Sequence, residues 1–293
     1  MTDILRGSPV AEGINSFLRS HIAGKGITLA AVVSTDDPSM MSYLRSKRKK
    51  ASSLGISFRE IHLPEDIDTD GFVSCIEKLN SDPEVSSIIV EEPVPGAVDF
   101  SRIRGVISPL KDVDCVSYDN LGRLFSGSPR FVPATVLAVL KILEYYRIAV
   151  SGREVLIVGR SLTVGKPLAS VLSIRGGNLG DATVTLAHSR SHSLDILISR
   201  ADIVISAVGK PHLITGEHIK DGSVVIDVGT NYVEGKLIGD VDTESVMGRA
   251  SAVTPVPGGV GVVTSSAIFL NTYYSYCLLS GGSDGCRAED KPF

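Results

Sequence analysis

Short, nearly continuous apolar runs bounded by turn residues recur along this chain: ITLAAVV at Ile27–Val33, EVLIV at Glu154–Val158, IVISA at Ile203–Ala207 and VVIDV at Val224–Val228. Runs of this length suit strands buried on both faces, which is how parallel sheets covered by helices read in sequence. Helical signals lie between them. Ser8-Pro9 reads as an N-cap with proline at the first helical position, and Val10, Ile14, Phe17, Leu18 and Ile22 then share one face. Asp37-Pro38 caps a second helix that runs to the stop signal at Gly55. Strands near Ile56–Leu63 and Val85–Val90 flank a helix around Phe72–Leu79. Strand and helix alternating through short joins predict a parallel α/β sheet with right-handed crossovers.

The alternation breaks once. From Leu110 to Pro133 the chain is polar and turn-rich and reads as loops plus a connection. A helix over about Ala134–Tyr146 leads into a second α/β unit, whose further strand is Thr183–Ala187 and which ends near Gly261. Ala250–Ser283 carries no charge and is long enough to cross a bilayer. It opens, however, with Pro255, Pro257, Gly258, Gly259 and Gly261, and Thr264, Ser265, Ser266, Asn271 and Thr272 follow. A proline/glycine loop and then one buried helix, Val262–Leu279, is the better reading. The expected organisation is a first α/β domain at 1–133 with 262–282 returning to it, a second α/β domain at 134–261, and an aperiodic, loose tail at 283–293.

Composition narrows the function classes. With 293 residues, 43% hydrophobic and 21% charged, the chain is globular, and its net charge of −4 argues against nucleic acid as its main partner. The early Asp3 and the missing apolar core exclude a secretory leader, so a cytoplasmic protein without membrane partners is expected. Cys75, Cys115, Cys277 and Cys286 form no CxxC pair and suggest reduced thiols, and His188, His192, His212 and His218 lack a third ligand. No metal is expected.

After EVLIV comes Gly159-Arg160-Ser161-Leu162-Thr163-Val164-Gly165. Strand, glycine turn and helix start is the context of a pyrophosphate loop, although Ser161 stands where the usual second glycine would be. An ordinary strand-to-helix loop is the plain alternative. The next strand runs into His188-Ser189-Arg190-Ser191 with no acid for a ribose 2′-hydroxyl. Arg160, Arg190 and the neighbouring hydroxyls instead suit a 2′-phosphate, which favours NADP over NAD, with a solvated basic turn as the plain alternative. Gly209 and Thr230 follow two more strand ends, where ligands of such sheets bind. The Thr254–Gly261 loop is a candidate cover for the nicotinamide.

On the second helix Tyr43 and Lys47 are four residues apart and share a face, among Arg45, Arg48, Lys49 and Lys50. Alone this reads as a solvated basic surface. With Val90–Pro95, PLKDVD at Pro109–Asp114, Asn120–Leu124, Val158-Gly159-Arg160-Ser161 and TPVPGGVG at Thr254–Gly261, it completes a series of motifs in order. On these motifs the chain resembles the bifunctional methylenetetrahydrofolate dehydrogenase/methenyltetrahydrofolate cyclohydrolase family over nearly its whole length. The resemblance implies a folate domain, an NADP-binding Rossmann-like domain, a cleft between them and a homodimer serving one-carbon metabolism and purine biosynthesis. It further implies that Tyr43 stacks on the folate, Asp114 hydrogen-bonds the pterin, Lys47 transfers protons, and Pro93, Gly258 and Gly259 line the substrate. Gly159, Arg160, Ser161, Gly165, Ser189, Arg190, Gly209 and Thr230 are the expected NADP contacts.

This chain departs from the family pattern at Glu91, where the family usually has Gln, at Cys115 for glycine, at Val136 for proline and at Thr230 for an aliphatic residue. A carboxylate beside Lys47 would favour the ammonium and weaken it as a base; alternatively Glu91 stays protonated and donates, or itself moves the proton. Cys115 either crowds the pterin or only alters the turn. Two other readings stay open: a dehydrogenase whose cyclohydrolase step is weakened by Glu91, and a non-catalytic folate- or nucleotide-binding protein.

Overall fold

The computed structural model describes residues 1–281 apart from Asn178. The tail at 283–293 therefore lies outside the described residues. In chain order the elements are β1 (Asp3–Ile4), α1 (Gly7–Ile22), β2 (Thr28–Val33), α2 (Pro38–Leu54), β3 (Ser57–His62), α3 (Thr69–Ser81), β4 (Ser87–Val90), α4 (Phe100–Val106), α5 (Tyr118–Phe125) and α6 (Ala134–Tyr145). There follow β5 (Glu154–Val158), α7 (Gly165–Leu172), β6 (Thr183–Ala187), α8 (Leu194–Arg200), β7 (Ile203–Ser206), β8 (Val224–Asp227), β9 (Asn231–Val233), β10 (Lys236–Ile238), α9 (Thr243–Val246), β11 (Ala252–Val253) and α10 (Val260–Leu279). They form two units, one of residues 1–12 with 135–264, the other of 13–134 with the chain from Ser265 on.

The second of these carries a parallel three-stranded sheet in the order β3-β2-β4. Every residue of β2 is buried, as its unbroken apolar run requires. Ala30, Val32 and Ile88 pack against Phe72 and Ile76 of α3 and Ile103 of α4. α10 supplies uncharged polar anchors to the same unit. Asn271 Nδ2 donates to the Val113 and Val132 carbonyls at 2.7 and 2.9 Å, and Ser275 Oγ lies 2.6 Å from the Ser86 and Leu110 carbonyls. A helix without charge can thus be buried while satisfying loop carbonyls that would otherwise be orphaned. Among the described residues no helix is long and apolar enough to cross a membrane.

The other unit is built on a parallel six-stranded sheet, order β1-β11-β8-β7-β5-β6. Leu156, Val158, Val204, Val225 and Val253 form its core with Ile198 and Val246. Successive connections leave β5 in opposite directions, so the switch point lies at the carboxyl ends of β5 and β7.

Two sequence expectations need correction. Residues 1–12, placed in the first domain, belong to the six-stranded unit: β1 pairs with β11, and the Gly7 N–H donates to the Gly258 carbonyl at 2.8 Å. A two-residue strand is too short for its pairing to show as periodicity. The supposed loop segment 110–133 contains α5, capped by Ser117 and burying Asn120, Leu121 and Leu124. A helix of two turns offers too few apolar positions to stand out from a polar stretch.

Candidate functional site

In the three-stranded unit, β2 and β4 lie side by side and α2 follows β2. The Glu91 N–H donates to the Val32 carbonyl at 2.9 Å, which sets Glu91 just past the carboxyl end of β4. Lys47, two and a half turns into α2, reaches it. Its Nζ lies 2.5 Å from Glu91 Oε1, and both side chains are more than nine-tenths buried. The Tyr43 ring, one helical turn earlier and half exposed, has its centroid 4.2 Å from the same ammonium. Thus Lys47 Nζ is clamped between the Glu91 carboxyl group and the Tyr43 ring face. The basic surface is smaller than the spacing suggested, because Lys47 is buried and Arg48 forms a two-pronged pair with Glu60 at 2.8 and 2.7 Å.

Asp114 belongs to this cluster. Its Oδ1 accepts the N–H of Ala134, the first residue of α6, at 3.0 Å. Burial pushes its carboxyl up to about 6, against the opposing pull of the Ala134 N–H and the Lys47 ammonium. The rest of PLKDVD builds the loop that carries it. Lys111 donates to the carbonyls of Leu79, Asn80 and Asp82 at 2.7–3.0 Å. The fully buried Asp112 accepts from the Val116 and Ser117 N–H groups and from Asn120 Nδ2. Cys115 follows with φ of 56°, a left-handed conformation that glycine adopts without strain. The departure from glycine therefore acts on the turn, with the thiol buried inside it. Pro93 is exposed after a cis peptide bond with Glu92.

In the six-stranded unit, Gly159 ends β5 with φ of 126°, and a Cβ there would collide with the Ala207 carbonyl. A Cβ on Gly165 would collide with the Gly159 carbonyl, so both glycines are sites of backbone contact between β5, β7 and α7. Ser161 fills the place of the missing glycine usefully: its Oγ accepts the Val164 N–H at 3.0 Å and caps the turn into α7. Ser189 and Arg190 are exposed beyond β6 in a turn closed by Ser191 Oγ on the His188 N–H. Gly209, with φ of 64°, follows β7, and exposed Thr230 follows β8. Gly258 and Gly259 belong to this unit and not to that of Tyr43, and the Gly258–Gly259 backbone packs directly on Gly7. Two buried aspartates at these strand ends, Asp227 and Asp240, escaped the sequence reading. Their signal was weak: an acid within two residues of a glycine, in DVG and GD.

A parallel sheet with glycine turns at its switch point marks a dinucleotide-binding α/β unit, here in one chain with an α/β unit that buries a lysine–carboxylate cluster. The catalytic-domain model of tetrahydrofolate dehydrogenase/cyclohydrolase matches residues 5–114, and the NAD(P)-binding-domain model of the same enzymes matches residues 133–279. This chain belongs to the tetrahydrofolate dehydrogenase/cyclohydrolase family. Among its relatives, the bifunctional protein FolD of Methanoculleus marisnigri is 41% identical over 97% of this chain and 100% of its own length. A 5,10-methylenetetrahydrofolate dehydrogenase from the silkworm Bombyx mori superposes with a TM-score of 0.90 at 36% identity, covering 96% of this chain and 100% of that one. The Trypanosoma brucei methylenetetrahydrofolate dehydrogenase-cyclohydrolase, solved with NADP and an inhibitor, gives 0.87 at 33% identity, covering 94% and 97%.

Proposed function

We propose that this chain oxidises 5,10-methylenetetrahydrofolate to 5,10-methenyltetrahydrofolate with NADP, then hydrolyses the product to 10-formyltetrahydrofolate. The observation that carries the reading is the buried Lys47–Glu91 pair, with Tyr43 against the ammonium and Asp114 beside it, in a chain of this family. Tyr43 offers a half-exposed aromatic face for the pterin. Asp114 uses one oxygen on Ala134 and turns its carboxyl to a pterin nitrogen. Hydride loss from the one-carbon bridge needs chiefly orientation, which these two groups supply. Hydrolysis of the methenyl cation needs a proton taken from water and one returned to N5, and the Lys47–Glu91 pair is a proton-handling group.

The residues of the six-stranded unit fit NADP, whose nicotinamide accepts the hydride. Gly159 and Gly165 bring backbone close to where a pyrophosphate would sit, Ser161 and the α7 start add N–H groups, and Arg160, Ser189 and Arg190 suit the 2′-phosphate. Gly209 and Thr230 would meet the nicotinamide end. Pro93, Gly258 and Gly259 are assigned to the folate substrate. A homodimer working in the cytoplasm, supplying one-carbon units for purine biosynthesis, completes the reading; the net charge of −4 supports small-molecule over nucleic-acid partners.

One observation favours a second reading. The 2.5 Å contact with Glu91 commits the Lys47 ammonium to a carboxylate, which would leave a dehydrogenase with a slow hydrolytic step. A coupled assay decides, following NADPH and the methenyl intermediate separately in wild type and Glu91→Gln. NADPH formation without methenyl build-up is the expected result. Methenyl accumulating at the buffer's own hydrolysis rate would establish the second reading, and no reduction of NADP or NAD would overturn both.

A further inference from the structure

The ends of β7 and β8 are tied together by two buried aspartates. Asp240 is 0% and Asp227 1% exposed. Five donors converge on Asp240. Its Oδ2 accepts from Ser206 Oγ and from the N–H groups of Val208 and Gly209, at 3.1, 2.8 and 3.3 Å. Its Oδ1 accepts from the Lys210 N–H and Asn231 Nδ2, at 2.9 and 3.1 Å. Three consecutive backbone N–H groups beyond β7 are therefore bent onto one carboxylate carried from another part of the chain.

Asp227 in turn fixes Asp240. It accepts the Asp240 and Val241 N–H groups at 3.0 and 2.9 Å and the Gly229 N–H at 2.9 Å. Space around the pair is fully used: a Cβ on Gly229 would collide with the Asp240 carboxyl, and one on Gly239 with that of Asp227. The loop held by Asp240 continues into the glycine turn, since Ala207 backbone lies against Gly159 and the Ala207 N–H donates to the Val158 carbonyl at 2.8 Å.

We propose that Asp240, braced by Asp227, is a positioning residue for the dinucleotide: it fixes the Val208–Lys210 loop and Asn231 in the shape that receives NADP beside the Gly159 turn. The inference rests on the cofactor reading above. Only a carboxylate performs the task. An asparagine at 240 would point its NH2 at two or three donors whichever way it is flipped, so part of the loop must let go. Asp240 is fully buried and acts through the loop it holds, so its loss should appear in NADP affinity and spare the folate side.

The test uses the full chain, with NADP binding followed by calorimetry and steady-state kinetics alongside. Asp240→Asn is expected to raise the Kd and KM for NADP about tenfold or more, the scale of losing charge-assisted hydrogen bonds. The KM for methylenetetrahydrofolate, and kcat at saturating NADP, should stay within about twofold. Ser206→Ala, which removes one of the five donors and leaves the loop anchored, should weaken NADP binding in the same direction by about two- to threefold. Wild-type protein that binds no NADP would overturn the cofactor reading itself. Wild type that binds while folded Asp240→Asn binds equally well, or loses kcat and folate affinity in step, would overturn the positioning role. Should Asp240→Asn not fold, NADP must still slow amide exchange at Val208–Lys210 in wild type and less so in Ser206→Ala; equal protection in the two refutes the proposal.

Discussion

Removing both partners of the Lys47–Glu91 pair should cost less than the two single removals added together. The two side chains are 9% and 8% exposed and 2.5 Å apart, so neither charge can recover its lost hydration from solvent. Lys47→Met would strand a buried carboxylate, for which about 3–5 kcal/mol of destabilisation is expected. Glu91→Gln is milder, about 1–3 kcal/mol, because the amide oxygen can still accept from the ammonium. In the double variant neither charge remains, and it should be more stable than the sum of the singles implies by about 2 kcal/mol. Hydrogen exchange over β2 and the Ser87–Glu91 segment reports on the sheet that carries the pair, beginning with the Glu91 N–H bonded to Val32. Singles that each change protection by less than about 1 kcal/mol and add within about 0.5 kcal/mol would refute the reasoning. The pair would then be a solvated contact and not a buried one.

Two further predictions concern Asp114 and the glycine turn. Burial raises Asp114 to about 6, so between its unfolded value and about 6 the native chain keeps a proton that the unfolded chain has shed. Its contribution to stability therefore falls as pH rises through that window, by on the order of 3 kcal/mol, and is constant above it. Asp114→Asn keeps an oxygen for the Ala134 N–H and should gain on wild type by about 2 kcal/mol between about pH 4.5 and 7.5, the part of that window the span covers; urea midpoints that move in parallel would contradict it. Gly165→Ala should lower stability by roughly 1–3 kcal/mol and weaken NADP binding, because its Cβ meets the Gly159 carbonyl. Gly122→Ala, in α5 with open space around it, should instead be neutral or stabilising by up to about 1 kcal/mol, and thermal melts of the pair compare the two directly.

Much of this protein was legible along the chain. The buried runs appear as β2, β5, β7 and β8, and Tyr43 and Lys47 share the α2 face that their spacing indicated. Glycine turns at strand ends were also readable, because a backbone that must adopt positive φ or touch another backbone leaves a local mark at Gly159 and Gly209. These features depend on neighbours a few residues away, and periodicity and turn chemistry report such neighbours directly.

Tertiary structure decided the rest. Spacing brought Lys47 to Tyr43, but only the pairing of β2 with β4 brought it to Glu91, 44 residues later. Only the sheet order joined residues 1–12 to β11, and only the return of α10 gave Asn271 its carbonyl partners 139 and 158 residues away. Asp240 is the clearest case. Nothing near it in sequence marks it as more than a turn acid, and its five donors come from two separate segments, Ser206–Lys210 and Asn231. Local pattern selects elements because it acts through adjacent residues, whereas a buried charge acquires its meaning from whatever donors the packed elements carry to it.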